Sequence, residues 1–133
     1  MKNPYQSAHD QYKSIEIQTR INTASPHEIV HLLLQGARSH IATAQGNIQR
    51  KQINEKGEHI SKAISILEGL RAGLDRENGG ELAVNLDKIY VYVQEILLKA
   101  NLHNDIEFLA QANQLLGDIH EAWKGIKVEA DEN

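Results

Sequence analysis

Apolar positions recur at three- and four-residue steps through four stretches of the chain, and no stretch alternates with period two. That spacing puts side chains on one face of a helix, so the pattern predicts four amphipathic helices and no sheet. The first is expected over about 26–50, a rod about 36 Å long. It opens on Ser25-Pro26-His27-Glu28, which offers a capping hydroxyl, a proline at the first helical position and a carboxylate three residues after the cap. Its inward face is read as Val30, Leu33, Ala37, Ile41, Ala44 and Ile48. The polar stretch from Gln49 to Lys56 is expected to form the first connection.

The second stretch turns Ile60, Ala63, Ile64, Leu67 and Leu70 inward and ends near Leu74-Asp75. Gly79-Gly80, the only glycine pair, reads as a loop between two halves. The third stretch follows, with Leu82, Leu86, Ile89, Val93, Ile96, Leu97 and Ala100 as its inner face. After a turn at Asn101–Asn104, Asn104 with Glu107 repeats the cap-and-carboxylate signal. The last stretch carries the cleanest heptad, Leu109, Ala112, Leu116, Ile119, Trp123 and Ile126. Short connections between amphipathic rods predict an all-α fold, an antiparallel four-helix bundle over residues 25–128. Residues 1–24 are too polar for a fifth core helix, yet carry Tyr5, Tyr12, Ile15, Ile17 and Ile21. They are expected to be a mobile N-terminal arm that docks on the bundle, and residues 129–133 an acidic tail.

Composition narrows the function. The chain has 133 residues, 14 Lys+Arg against 18 Asp+Glu, and no cysteine. One domain with a real core is expected at this length. The absence of cysteine excludes disulfides, thiolate metal sites and a Cys nucleophile. Mild acidity without clustered Lys/Arg argues against nucleic acid as a partner. No apolar run approaches a membrane span and the N-terminus lacks a signal-peptide core, so a cytosolic protein without membrane insertion is expected.

Two patterns invite an enzymatic reading. His27-Glu28-Ile29-Val30-His31 matches the zinc metalloprotease helix signature, two imidazoles one turn apart with a Glu as general base. Glu28 already has a capping role there, however, and the imidazoles are read as lying away from the apolar stripe. His31, Leu33 and Gly36 loosely suggest a histidine phosphotransfer bundle, without the lysine that would steady a phosphoryl group. His9, His40, His59, His103 and His120 read as surface residues. No residue set reads as catalytic, and no metal or cofactor is expected.

The third stretch holds a different anomaly. Val84, Val91 and Leu98 are spaced by seven on the side opposite its inner face, and Leu102 extends the row. Ile29 and Leu32 likewise fall off the first stripe, near Gly36. Such a strip can seat a helix or an extended peptide, or a second copy in a homodimeric structural bundle.

A set of motifs occurs in order at fitting distances: Thr23-Ala24-Ser25-Pro26, Lys62 to Leu67 through Leu74-Asp75, Gly79-Gly80-Glu81-Leu82-Ala83 with Asn85-Leu86, Tyr90-Val91-Tyr92, Ala100-Asn101-Leu102-His103-Asn104-Asp105 and Glu121-Ala122-Trp123. Together they resemble the bacterial flagellin-export chaperones of the FliS family over essentially the whole chain. The resemblance implies a non-enzymatic cytosolic bundle that binds the disordered C-terminal segment of flagellin. Such a chaperone prevents premature polymerisation and helps deliver the subunit to the membrane-embedded gate of the type III export apparatus. An anti-sigma factor or a co-chaperone are further partners to be considered. The family's arm bears a tyrosine, usually followed by glutamine, that packs on the bundle and is displaced or rearranged by flagellin. Tyr12 fits that position by distance from Thr23, although Lys13 follows it; Tyr5-Gln6 has the dipeptide but lies seven residues too early. Val84, Val91, Leu98, Leu102, Ile29 and Leu32 are then the expected contacts, with Tyr12, Ile15 and Ile17 as the covering arm.

Overall fold

The computed structural model describes residues 25–132, and side chains through Ile126. The arm expected at 1–24 lies outside the described residues, as do the side chains of the acidic tail. Four helices follow in order: α1 Pro26–Gln49, α2 Ile53–Ala72, α3 Gly80–His103 and α4 Ile106–Glu132. α1 packs along α2 and α4, and α3 along the same two, so the helices form a closed ring of neighbours. Connections of a few residues allow only antiparallel neighbours, which is the expected bundle.

Helix ends are set by local chemistry. Ser25 Oγ accepts from the Glu28 backbone N–H at 3.1 Å, with Pro26 beginning the helix. α1 stops at Arg50 because Lys51 takes a left-handed backbone, φ 59°. The first connection is only Arg50–Gln52, shorter than the polarity of Gln49–Lys56 predicts. Lys56 is in fact a buried residue of α2: its Nζ reaches across to the Asn101 carbonyl at 2.9 Å and to Asn104 Oδ1. Asn104 closes α3 in a left-handed conformation, φ 53°. Asp105, and not the expected Asn104, caps α4 by accepting from the Glu107 N–H at 2.9 Å. Between α2 and α3, Asp75 holds the turn by accepting from the Glu77 and Asn78 N–H groups. A Cβ on Gly79 would sit 2.3 Å from the Asp75 carbonyl oxygen, and Gly80 has φ +54°, so this turn requires both glycines.

The core is apolar and filled. Leu34, Ala37, Ile41 and Ala44 of α1 meet Ile60, Ala63 and Leu67 of α2, Val93, Leu97 and Ala100 of α3, and Leu109, Ala112 and Leu116 of α4, all without solvent exposure. Each large side chain among them contributes about 1.5–3 kcal/mol of burial. The α1 stripe runs through Leu34 where Leu33 was expected; Val30 and Leu33 are only half-buried. In the run Ile29-Val30-His31-Leu32-Leu33-Leu34, period alone does not choose between adjacent leucines. α4 continues to Glu132, through the positions read as a tail.

Candidate functional site

Among the described residues, two apolar surfaces remain after the helices have packed. The first is the row predicted on α3. Val84 is 53 % exposed, Leu98 58 % and Leu102 77 %, with Val91 half-buried between them. The row stands on the side of α3 opposite Tyr90, Val93 and Leu97, which face the core. Of the α1 residues assigned to the same surface, Ile29 is half-buried and Leu32 is buried. Leu32 is therefore not an open contact, because period assigns a side chain to a face and says nothing of whether that face is covered.

The second surface was not anticipated. Where α1 and α3 begin and α2 and α4 end, a groove of about 540 Å³ opens between the four helices. α1 contributes Pro26, Ile29, Val30 and Leu33; α2 contributes Leu70 and Leu74; α3 adds Leu82, Leu86 and Tyr90; and Trp123 and Ile126 come from α4. Several of these were read as interior residues. Leu82 and Ile126 are instead exposed, and Val30, Leu33, Leu86 and Trp123 half-buried. The room exists because Gly69, Gly73, Gly79 and Ala83 supply no bulk at the ends of α2 and α3; a Cβ added at Gly69 would meet nothing within 4 Å. Small residues on the inner faces of two successive helix ends were the signal available in the sequence. Ion pairs brace this end from outside: Arg71 Nε and Arg76 Nη2 lie 2.9 and 3.0 Å from Asp87 Oδ1. The two guanidiniums hold the Asp87 carboxyl below its usual range. Burial pushes the Tyr90 phenol up to about 12, so the groove wall stays neutral there.

Of the histidines read as surface residues, His103 is exposed and His9 lies outside the described residues, but His27, His31, His40, His59 and His120 are engaged between helices. His27 is buried and stacks on Trp123, with centroids 4.8 Å apart and planes at 10°. The pair is locked by Trp123 Nε1 donating to the His27 carbonyl at 3.0 Å and by His27 Nε2, 2.9 Å from the Trp123 carbonyl. Since a carbonyl only accepts, Nε2 carries the proton, and Nδ1 is left as a buried acceptor without a partner. His31 Nδ1 lies 2.8 Å from Nε2 of His120, itself buried, and Arg38 Nη1 lies 3.2 Å from His120 Nδ1. Across the other side of α1, His40 Nδ1 and His59 Nδ1 are 2.9 Å apart. The imidazoles of the metalloprotease pattern thus turn toward α4, because α1 is covered by two neighbours and its contact face is wider than the core stripe. His27 and His31 are each engaged with α4 rather than converging on a common point, and among the described residues no three His, Asp or Glu side chains could share a metal ion. No helix among them is long and apolar enough to cross a membrane.

The profile of the family described as "Flagellar protein FliS" matches residues 8–130. The chain belongs to the FliS family. It is 44 % identical over 116 residues to the flagellar secretion chaperone FliSB of Pseudomonas aeruginosa, covering 87 % of this chain and 92 % of that one. Identity to the flagellar secretion chaperone FliS of Salmonella typhimurium is 41 % over 120 residues, 90 % and 89 % of the two chains. The FliS of Vibrio cholerae is 34 % identical over 118 residues, 89 % and 87 % of the two. These relatives are named as chaperones, which is not an enzymatic role.

Proposed function

We propose that this FliS-family chain is a cytosolic flagellar export chaperone whose guest is the C-terminal segment of flagellin, kept from polymerising and passed to the membrane-embedded export gate. The observation that carries this reading is the apolar groove left unfilled at one end of an otherwise filled bundle. It is joined by the exposed α3 row of Val84, Val91, Leu98 and Leu102. Together they give a disordered, apolar guest two places to bury side chains at about 1.5–3 kcal/mol each, less the cost of ordering it. Their separation suits an extended segment that runs along more than one helix better than a single docked helix. An export factor must also let go, and a guest that loses conformational entropy on binding stays releasable.

Residues 1–24 would act as an internal placeholder. Ser25 sits beside the groove rim formed by Pro26 and His27, so Tyr12, Ile15 and Ile17 are within reach of it. A placeholder lowers guest affinity by the cost of undocking it. Deleting residues 1–20 should therefore preserve or raise affinity for a flagellin C-terminal peptide, measured by calorimetry; a large loss would make the arm itself a contact. The surface is tested by Val91→Asp with Leu98→Asp. The double variant should keep the helical signal and a cooperative melt but fail to co-purify with flagellin. Normal binding would remove the α3 row from the site, and normal binding by a groove variant, Leu82→Asp, would remove the groove as well. Sedimentation of the chain alone separates the chaperone from a homodimeric bundle, which would be dimeric without flagellin.

A further inference from the structure

Among the described residues, α1 alone is tied to both neighbours by imidazole pairs: His31 to His120 on α4, and His40 to His59 on α2. The first pair has a fixed polarity. A guanidinium can only donate, so Arg38 forces His120 Nδ1 to accept. His120 Nε2 must then carry the proton and donate to His31 Nδ1. The row Arg38, His120, His31 is satisfied only while both rings are neutral. A proton added to His31 Nδ1 meets the N–H of His120; one added to His120 Nδ1 meets that of Arg38. Either way two donors face each other, beside a permanent cation. In the second pair, two Nδ1 atoms at 2.9 Å share one proton and are driven apart by two.

We propose that these two pairs are a proton-sensitive clasp on α1, holding it against α2 and α4 at neutral pH and loosening it in acid so that the end groove releases its guest. The regulatory part rests on the chaperone reading above; the clasp itself does not. Coupling to the groove is direct, because α1 supplies Pro26, Ile29, Val30 and Leu33 to its wall, and the His27–Trp123 lock lies one turn from the His31–His120 contact.

At His120 and His40 the surroundings favour the neutral ring. Around His120 stand His31 and Arg38 from α1, with Lys124 and Glu121 from α4; burial, then His31, Lys124 and Arg38, hold its pKa below the ordinary value, and only Glu121 opposes them. Glu28, one turn before His31, is the one carboxylate of α1, and Asp118 of α4 lines a surface pocket with Arg38 and Glu121. Around His40, burial first and then His59 and Lys62 of α2 bring it down to about 4. A histidine depressed in the folded state binds its proton more readily in the unfolded chain. Its contribution is complete above the unfolded value of about 6.5 and is lost as pH falls toward the folded one.

The test compares the full chain with a variant carrying His31→Gln, His120→Gln, His40→Gln and His59→Gln, whose amides hydrogen-bond but do not titrate. Hydrogen exchange of α1 amides, corrected for intrinsic rates, is read without guest at about pH 7.5 and about pH 5. The parent should lose protection about tenfold and the variant less than about twofold. A flagellin C-terminal peptide should weaken by a similar factor for the parent alone. Unchanged α1 protection in the parent, or an equal loss in the variant, overturns the clasp. Equal peptide affinity at both pH values overturns its regulatory role. Should the variant not fold, an imidazole NMR titration of the parent decides: α1 amide shifts must follow the histidine titrations, and their independence overturns the clasp. Failure of the peptide to bind at about pH 7.5 would overturn the chaperone reading alone, since exchange is measured on the protein without guest.

Discussion

The two ends of the bundle face the same physical problem and solve it differently. Every helix end leaves unpaired backbone groups and a gap between rods. At the end where α1 passes to α2 and α3 to α4, polar side chains fill the gap. Lys56 reaches the α3 terminus, Asn47 Nδ2 donates to Gln52 Oε1 at 2.8 Å, and Gln52 N–H returns to the Asn47 carbonyl. At the other end the backbone is satisfied locally by Ser25 and Asp75, and the centre is left to leucines, glycines and one tryptophan that do not fill it. Even their orphans differ: Asn47 Oδ1 is buried within the polar seal, whereas His27 Nδ1 is buried in the groove wall. A sealed end can only stabilise. An end whose apolar lining leaves a groove forgoes the burial that a filled end would gain.

The sharpest way to break that contrast is to remove the seal. Lys56→Ala would strip two charge-assisted hydrogen bonds from the α3 terminus and leave the Asn101 carbonyl unpaired in a buried site. A loss of about 2–3 kcal/mol is expected in urea denaturation, with affinity for flagellin unchanged in the folded fraction. A comparable loss of affinity would mean that the two ends are not independent. Next in size is Gly79→Ala, where the new methyl meets the Asp75 carbonyl at 2.3 Å. Backbone must shift, costing about 1–2 kcal/mol, and because Gly79 lines the groove, flagellin affinity should fall with stability.

The contrast also explains what could be read without coordinates. Ser25-Pro26-His27-Glu28, Gly79-Gly80 and the Leu109–Leu116 heptad carry signals that are local in sequence, and the bundle follows from them. The α3 row was legible because a spacing of seven stacks side chains wherever the helix lies. Lys56 was not: a lysine in a polar run looks solvated, and only the approach of Asn101 and Asn104, about 45 residues away, gives its ammonium a buried partner. The groove was half legible. Val30, Leu33, Leu86 and Trp123 were correctly turned inward, but period reports direction on a helix, not the distance to the helix opposite. For the same reason His31 and His120 looked like surface residues until 89 positions of chain brought them together.

The smallest effect on stability makes the most discriminating test, because its two consequences have opposite signs. Gly69 lies on α2 at the groove, with open space where its side chain would be. Replacing it with leucine swaps a poor helix former for a good one, worth about 0.5–1 kcal/mol in favour of the fold. The isobutyl group also occupies part of the groove, displacing guest contacts whose loss weakens binding about tenfold for each 1.4 kcal/mol forfeited. Gly69→Leu should thus melt slightly higher than the parent and bind flagellin more weakly, by about tenfold in calorimetry. A surface glycine that merely tolerates a larger side chain would show the first change without the second. Higher stability with undiminished affinity would therefore leave the α3 row as the only seat and assign the open end no part in holding the guest.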